Sequence, residues 1–345
     1  MESGHGQAVS RSVVLNSVAV IGAGNWGTAL ACAVARVGAE RGLVLREVVV
    51  RDPVAGKAVC KHLQSKQNPR LVVDWDEARL DAEFLWICVP DDAIKSVCSQ
   101  LVARRRSQLG AGKSGLAQVR AGQSSRVLFG QIVLHASGAC ESALLAEAQK
   151  AGAQIASVHP VMSFPRREPV SLDGLLYGVE TASTGCRRRL SGLLRKLGGE
   201  PFSVATGSKY LYHAAGTLAS PLLLSTFAAA IEAAQLAGLG KAQAARVVGR
   251  LAAATLFNAQ SKGVATSLSG PLARGDAGTI GLHLQALREH PPLEEVYRAL
   301  TAYALEHLPV HRAKEIAERL EETIKSRQPR KRQRSESPLT RKKRR

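Results

Sequence analysis

The hexapeptide Gly22-Ala23-Gly24-Asn25-Trp26-Gly27 constrains this chain more than any other stretch. It follows the β-branched run Val18–Ile21 and opens an apolar segment with helical character from Trp26 to Val37. A G-x-G-x-x-G pattern is weak by itself, but between a strand and a helix it is the fingerprint of a dinucleotide-binding turn. Gly22 permits the tight turn, Gly24 lets a pyrophosphate approach the backbone, and Gly27 allows close helix–strand contact. The backbone at Asn25 and Trp26 then lies at a helix N-terminus, where N–H groups and the helix dipole favour phosphate.

Strand and helix signals alternate downstream. Leu45–Val50, Phe84–Val89, Ile132–Leu134 and Ile155–Val158 read as strands, followed by a strand at Tyr177–Ala182, a helix at Arg187–Leu197 and a strand at Phe202–Val204. This alternation predicts βαβ units in a doubly wound, mainly parallel sheet. After Lys209 the strand signal ends, and helices are expected over Lys241–Ser261, Thr279–Arg288, Leu293–His307 and His311–Ser326. The 345 residues are enough for two cores. The expected organisation is an α/β Rossmann domain over 14–206, an all-α domain over 207–326 and a disordered basic tail over 327–345.

The ends of the strands supply candidate binding residues. At the second, an acid would accept from a ribose 2′-OH, whereas an arginine would meet a 2′-phosphate. The sequence has both, as Arg51-Asp52. Arg51 comes first after the apolar run and points to NADP, with NAD kept open by Asp52. Val89 and Pro90 are expected to flank the adenine–ribose side, and Asp91 and Asp92 to turn or cap the chain. Ser137 is placed to bond a nicotinamide amide or a substrate. His159, at a later strand end, is either a substrate contact or a capped strand-end histidine.

Charge is unevenly placed. Of the formal net charge of +19, the stretch from Ser326 to Arg345 carries ten Lys/Arg against Glu336 alone. That tail has too little apolar surface to fold. It could bind nucleic acid or another anionic surface, or serve only as a solvated tail. The acid-free stretch Arg104–Arg126 is expected to form a long loop. Its GAGKS segment is not a P-loop, because Ser107 stands where the first glycine belongs. Six cysteines without a C-x-x-C pair fit a reduced, cytoplasmic setting, and no metal-ligand spacing is present. The opening MESGHGQAVS lacks the build of a signal peptide. Ala214–Leu239 is apolar enough to resemble a membrane span but contains Pro221 and Glu232, so it is read as a helix buried inside a protein, with no membrane span expected.

Several ordered blocks are more specific than the glycine loop. They are VAVIGAGNWGTALA (Val18–Ala31), VPDDAI (Val89–Ile94), LHASGA (Leu134–Ala139), SVHPVMSF (Ser157–Phe164), KYLYHAAGTLAS (Lys209–Ser220) and SGPLARGD (Ser269–Asp276). With them the chain, from about Val18 to Leu308, resembles the Rossmann-like family carrying domain of unknown function 2520. That family is related to β-hydroxyacid dehydrogenases and deazaflavin-dependent NADP reductases, and some of its members look like ketopantoate reductases. The GNWGTALA segment alone also resembles glycerol-3-phosphate dehydrogenase, but the later blocks do not fit that family. The family resemblance implies a Rossmann domain joined by a long helix to an all-α domain, an active site in the cleft, and a homodimer. Pro221 departs from it, since an Asn is expected after Ser220, and the Arg104–Arg126 stretch and the basic tail lie outside its pattern.

Lys209 and His213 are four apart and share one helix face. Reduction of a carbonyl by hydride needs a proton donor, and burial can tune a lysine from about 10.4 toward roughly 7–8. Either residue could donate, and His213 could instead orient the substrate; a surface lysine and a packed histidine are the plainer alternatives. Asn258 and Arg274 are substrate-binding candidates in the helical half. Arg274 suits a carboxylate clamp or a brace to Asp276. The combined expectation is an NADP-dependent oxidoreductase acting on a small, ketopantoate-like oxo acid. The alternatives are an NAD(P)-binding sensor without turnover and a nucleic-acid-associated protein acting through its tail.

Overall fold

The computed structural model describes residues 15–63, 69–111, 126–164 and 166–325, so the tail over 327–345 and residues 112–125 of the basic stretch lie outside it. The chain divides into two compact units between Gly216 and Thr217. That division falls inside a helical stretch starting at Lys209, rather than at Gly207.

The first unit is built on eight strands: β1 (Asn16–Ile21), β2 (Leu43–Val49), β3 (Arg70–Val72), β4 (Phe84–Ile87), β5 (Ile132–His135), β6 (Gln154–Pro160), β7 (Leu176–Glu180) and β8 (Glu200–Ser203). They form one sheet in the order β3-β2-β1-β4-β5-β6-β7-β8. Every neighbouring pair is parallel except β6–β7. This is the expected α/β Rossmann class, and the strand order reverses between β1 and β4. Helices α1 (Asn25–Val37), α2 (Pro53–His62), α3 (Ile94–Ala111), α4 (Ala146–Lys150) and α5 (Thr184–Lys196) connect the strands.

Side-chain alternation along the strands divides the core in two. Val18 and Val20 of β1 and Phe84 and Trp86 of β4 join one cluster with Leu30 of α1 and Leu190 and Leu193 of α5. Ala19, Ile21, Leu85 and Ile87 point the other way, against Ile94, Cys98 and Leu101 of α3. A strand buried on both faces therefore reads as an unbroken apolar run, as these do.

The basic stretch expected to be a loop from Arg104 begins instead as the last turns of α3, which runs to Ala111. The reason is tertiary. Arg104 donates to the carbonyls of Ala78 and Asp76, Arg105 to that of Arg79, and Gln108 to that of Ala78. These bonds anchor a helix that its polar composition does not favour.

The first unit ends in α6 (Lys209–Thr217), and the second is helical: a π-helical segment, Leu218–Leu222, leads into α7 (Leu223–Leu236), followed by α8 (Lys241–Lys262), α9 (Gly270–Arg274), α10 (Ala277–Ala286), α11 (Pro291–His307) and α12 (Ala313–Lys325). The segment contains Pro221, whose missing N–H explains the local loosening of the helical ladder. Ile280 and Leu284 of α10 pack with Ile316 and Leu320 of α12 into a small core. The run Lys209–Leu236 is long and apolar enough to cross a membrane, its most apolar 18-residue window having a mean hydropathy of 1.6. The overlapping stretch Ala214–Leu239 is expected to be a buried helix, but none of the most apolar window of Lys209–Leu236 is covered within one chain. Leu218, Leu222 and Leu224 all stand exposed.

One buried carboxylate fixes the entry to β4. Glu47 of β2 accepts from Leu80 N at 2.6 Å and Arg79 N at 3.2 Å, with Arg70 3.8 Å away. Glu47→Ala strands two backbone donors in the interior and is expected to lower unfolding free energy by about 2–3 kcal/mol, Glu47→Gln by less. Urea unfolding of both variants checks this, and equal losses would contradict it.

Candidate functional site

The carboxyl ends of β1, β4, β5 and β6 carry the candidate residues. At the end of β1, Gly22 adopts φ +104°, a backbone region that favours glycine. A side chain there would also collide with the Cys88 carbonyl. A Cβ on Gly27 would collide with the Gly22 carbonyl and sit 3.1 Å from the Cys88 Cβ. Gly24 differs, for its Cβ would meet nothing nearer than 4.0 Å. Two glycines thus serve close packing, while the third leaves an open backbone surface at the start of α1. Thr28 N closes the first turn on Gly24 O at 3.0 Å.

The side chains of Asn25 and Trp26 turn inward. Asn25 Nδ2 donates to Phe164 O at 2.6 Å. The Trp26 ring packs against Trp86, Phe164 and Tyr177 at centroid distances of 5.7, 5.1 and 6.2 Å. Their backbone amides lie at the start of α1, next to the glycine turn.

Beyond β2, Arg51 is exposed, whereas the Asp52 carboxylate caps α2 by accepting from Val54 N at 2.9 Å. After β4, Val89 lies beside Gly22, and Pro90 is exposed at the start of a short 3-10 turn, Asp91–Ala93. Asp91 does more than turn the chain, since it accepts from Ser137 Oγ at 2.9 Å. Ser137 Oγ in turn accepts from Cys140 N at 2.9 Å and Ala139 N at 3.2 Å. Its hydroxyl therefore organises the loop after β5.

Lys209 starts α6 and is fully buried. Its Nζ donates to Ser137 O at 2.8 Å. Burial pushes its pKa down to about 8, opposed by the negative charge of Glu180 and by Cys140, Asp91 and Glu141. Glu180, buried on β7, accepts from Ser142 N at 2.7 Å, Ser142 Oγ at 3.1 Å and Thr206 Oγ1 at 3.2 Å. His159, half-buried on β6, pairs Nδ1 with Tyr212 Oη at 2.8 Å. Its pKa falls to about 4 through burial first, then through the positive charges of Lys209 and His213. The rings of His159 and His213 lie 6.4 Å apart, and His213 is exposed. Both flank Gly138, where a Cβ would come within 2.7 Å of His213 Cδ2 and 2.9 Å of His159 Nε2.

Four sequence candidates, Ser137, His159, Lys209 and His213, are thus brought together around Gly138. Tyr212, Glu180 and His135 were not anticipated. His135 is buried, with Nδ1 accepting from Ser137 N at 3.2 Å and Nε2 bonded to Glu141 O at 3.1 Å. Only Tyr212 had a sequence signal, three residues after Lys209. Asn258 lies half-buried on α8, and Arg274 ends α9 exposed. The Asp276 carboxylate caps α10, accepting from Thr279 N at 3.0 Å and Thr279 Oγ1 at 2.7 Å. Among the described residues no cluster of His, Cys, Asp and Glu could hold a metal.

Residues 175–304 match the family model of domain of unknown function 2520, the family the motif blocks resemble. Residues 17–121 match that of the NAD-dependent glycerol-3-phosphate dehydrogenase N-terminus. The second likeness extends far beyond the GNWGTALA segment to which the sequence reading confined it. A glycerol-3-phosphate dehydrogenase [NAD(P)+] of Clostridium botulinum is 31% identical over 91 residues, 25% of this chain. The chain spans 28% of that enzyme's length. Among solved structures, a Thermotoga maritima protein is similar with a TM-score of 0.59 and 17% identity, over 89% of this chain and 99% of that one. A Bacteroides fragilis protein described as an NADP oxidoreductase has a TM-score of 0.57 and 18% identity, over 89% and 100%. A reductive aminase of Aspergillus terreus, in complex with NADPH and ethyl-5-oxohexanoate, has a TM-score of 0.56 and 15% identity, over 88% and 99%. These structural likenesses show a shared fold.

The glycine geometry separates packing from binding. Gly27→Ala is expected to lower Tm by several degrees, because backbone opposes the new methyl, an overpacking cost of about 1–3 kcal/mol. Gly24→Ala is expected to leave Tm within about two degrees. Thermal melts of both variants, without ligand, test the distinction, and equal shifts would sink it.

Proposed function

We propose that the chain is an NADPH-dependent oxidoreductase that reduces a small oxo acid, ketopantoate being the model substrate. The observation that carries this reading is the convergence of Lys209, His159, His213 and Gly138 at the strand ends beside the glycine turn. Open α/β sheets bind ligands on that side, at the point where strand order reverses. The pyrophosphate would lie over Gly24 and the amides of Asn25 and Trp26, with the backbone of Val89 and Pro90 on the adenine–ribose side and the Ser137 loop near the nicotinamide. Asp52 is engaged as a helix cap, which leaves exposed Arg51 as the group for a 2′-phosphate and favours NADP over NAD. The names of the compared proteins, an NAD(P)+ dehydrogenase, an NADP oxidoreductase and an NADPH-bound aminase, support the same cofactor class.

The cofactor supplies hydride, and the residues of this chain must stabilise the oxygen that gains electrons. A lysine ammonium with its pKa near 8 is suited to this as charge and as proton source. His213, exposed one turn later, is the alternative donor. In the helical unit, Arg274 is the candidate for holding a carboxylate through its planar fork, and Asn258 is a further polar candidate.

A homodimer belongs to this reading. Leu224 is 66% exposed, Leu251 70% and Phe257 69%, on the paired helices α7 and α8. Apolar surface on that scale marks an association site, and we assign its cover to a second copy. All six cysteines are free, which fits a reducing compartment such as the cytoplasm.

Titration of NADPH and NADH into wild type and Arg51→Ala is expected to show tighter NADPH binding that the variant loses. With ketopantoate, kcat is expected to fall as pH rises through about 8, because the acid form of Lys209 is lost. Lys209→Ala should remove that limb and cut turnover about 10²–10⁴-fold with NADPH affinity kept. NADPH binding without turnover of any oxo acid would favour a sensor.

Sedimentation is expected to give a wild-type dimer and to show Leu251→Lys shifted toward monomer. A monomeric wild type at micromolar concentration would refute the dimer.

A further inference from the structure

We propose that Tyr212 fixes the tautomer of His159, so that His159 presents its Nε2–H above Gly138 as the donor that orients the substrate oxygen. The inference rests on the reductase reading and adds to it a positioning residue, Tyr212, and a specific hydrogen-bond donor. Lys209 is the charge behind this surface.

The imidazole comes first. Burial and the neighbouring charge of Lys209 hold His159 neutral at physiological pH, so one ring nitrogen carries a proton and the other does not. Nδ1 lies 2.8 Å from Tyr212 Oη, which has no other hydrogen-bond partner among the described residues. A phenol is a much stronger acid than a neutral imidazole N–H, so the hydroxyl donates and Nδ1 accepts. The ring proton is then on Nε2. The alternative tautomer would place the Tyr212 hydroxyl hydrogen without an acceptor in a half-buried position.

Nε2 has no protein partner among the described residues, and the missing side chain of Gly138 is what lets it lie so close to the loop after β5. Any side chain at Gly138 would collide with both His159 Nε2 and the edge of His213 and displace them. His135 shows the contrast, for both of its nitrogens are bonded to backbone and it is wholly structural.

Tyr212 is itself held in place. Its ring is tilted against Phe202 at 6.0 Å and meets His159 edge-on at 5.6 Å, with Lys209 Nζ 5.4 Å from its centroid. Gly178 gives the hydroxyl room, since a Cβ there would lie 2.9 Å from Oη. The arrangement asks no proton transfer of His159. It offers a fixed neutral donor, which polarises a carbonyl without adding a second cation next to Lys209.

The test uses Tyr212→Phe, which keeps the ring and its packing and removes only the hydroxyl. Long-range 15N–1H NMR of the imidazole, assigned by its loss in His159→Gln, reads the tautomer at neutral pH without substrate. Wild type is expected to show a protonated Nε2 and an unprotonated Nδ1, and Tyr212→Phe a mixture of the two forms. With ketopantoate and NADPH, Tyr212→Phe should raise KM about tenfold, with kcat within about threefold and NADPH affinity unchanged. A protonated Nδ1 in wild type, or an unaltered tautomer in Tyr212→Phe, overturns the assignment of Tyr212. An unaltered KM in the variant overturns the orienting role. Should wild type show the expected tautomer and bind NADPH yet reduce no oxo acid, the reductase reading and the orienting role fall and the tautomer assignment stands.

Discussion

The first unit depends on how closely backbone can approach backbone where β1 and β4 end. Gly22 lies against the Cys88 carbonyl, and Gly27 brings α1 down onto Gly22 itself. Cys88 N meanwhile donates to Ile21 O at 2.7 Å, and Gly22 N to Val49 O at 2.8 Å. The turn is therefore clamped by its neighbours on both sides. Because the chain runs outward in opposite senses from β1 and β4, their ends leave a crevice no crossover covers. The amides at the start of α1 open there, and so do the loops after β5 and β6.

Charge completes what packing begins. Lys209 and Glu180 are both withdrawn from solvent, and an interior charge persists only when hydrogen bonds and an opposite charge compensate its lost hydration. Glu180 has three donors from Ser142 and Thr206, and Lys209 has the Ser137 carbonyl. Their mutual attraction partly offsets the effect of burial on the lysine. The cation in turn helps to keep His135 and His159 neutral. One buried ammonium thus reinforces what burial already imposes on the protonation state of its surroundings.

Much of this was legible in the sequence. Strands buried on both faces announce themselves as apolar runs, and the glycine spacing placed the turn. β3 was missed because three residues, Arg-Leu-Val, carry no periodicity. The helical extension of α3 was missed because its arginines are anchored by carbonyls of a distant segment. Lys209 and His213 stood out through their spacing and through the KYLYHAAGTLAS block of the family resemblance. Tyr212 did not, since its significance comes from His159, 53 residues earlier. Trp26 and Asn25 were found at the right place, but their side chains serve the core and a neighbouring carbonyl.

The antiparallel reversal at β7 leaves β8 as the sheet's last strand, and that strand contains Pro201. Glu200 N and Val204 N bond inward to Leu175 O and Val179 O. By alternation, Pro201 occupies a position whose amide would face outward, where an incoming strand would need a donor. At the opposite edge, β3 offers only three residues. Both margins are thus poor templates for further strands, a recognised safeguard against amyloid-like growth. A chain that exposes so much apolar helix can risk contact between copies because its β-structure has been denied the means to polymerise.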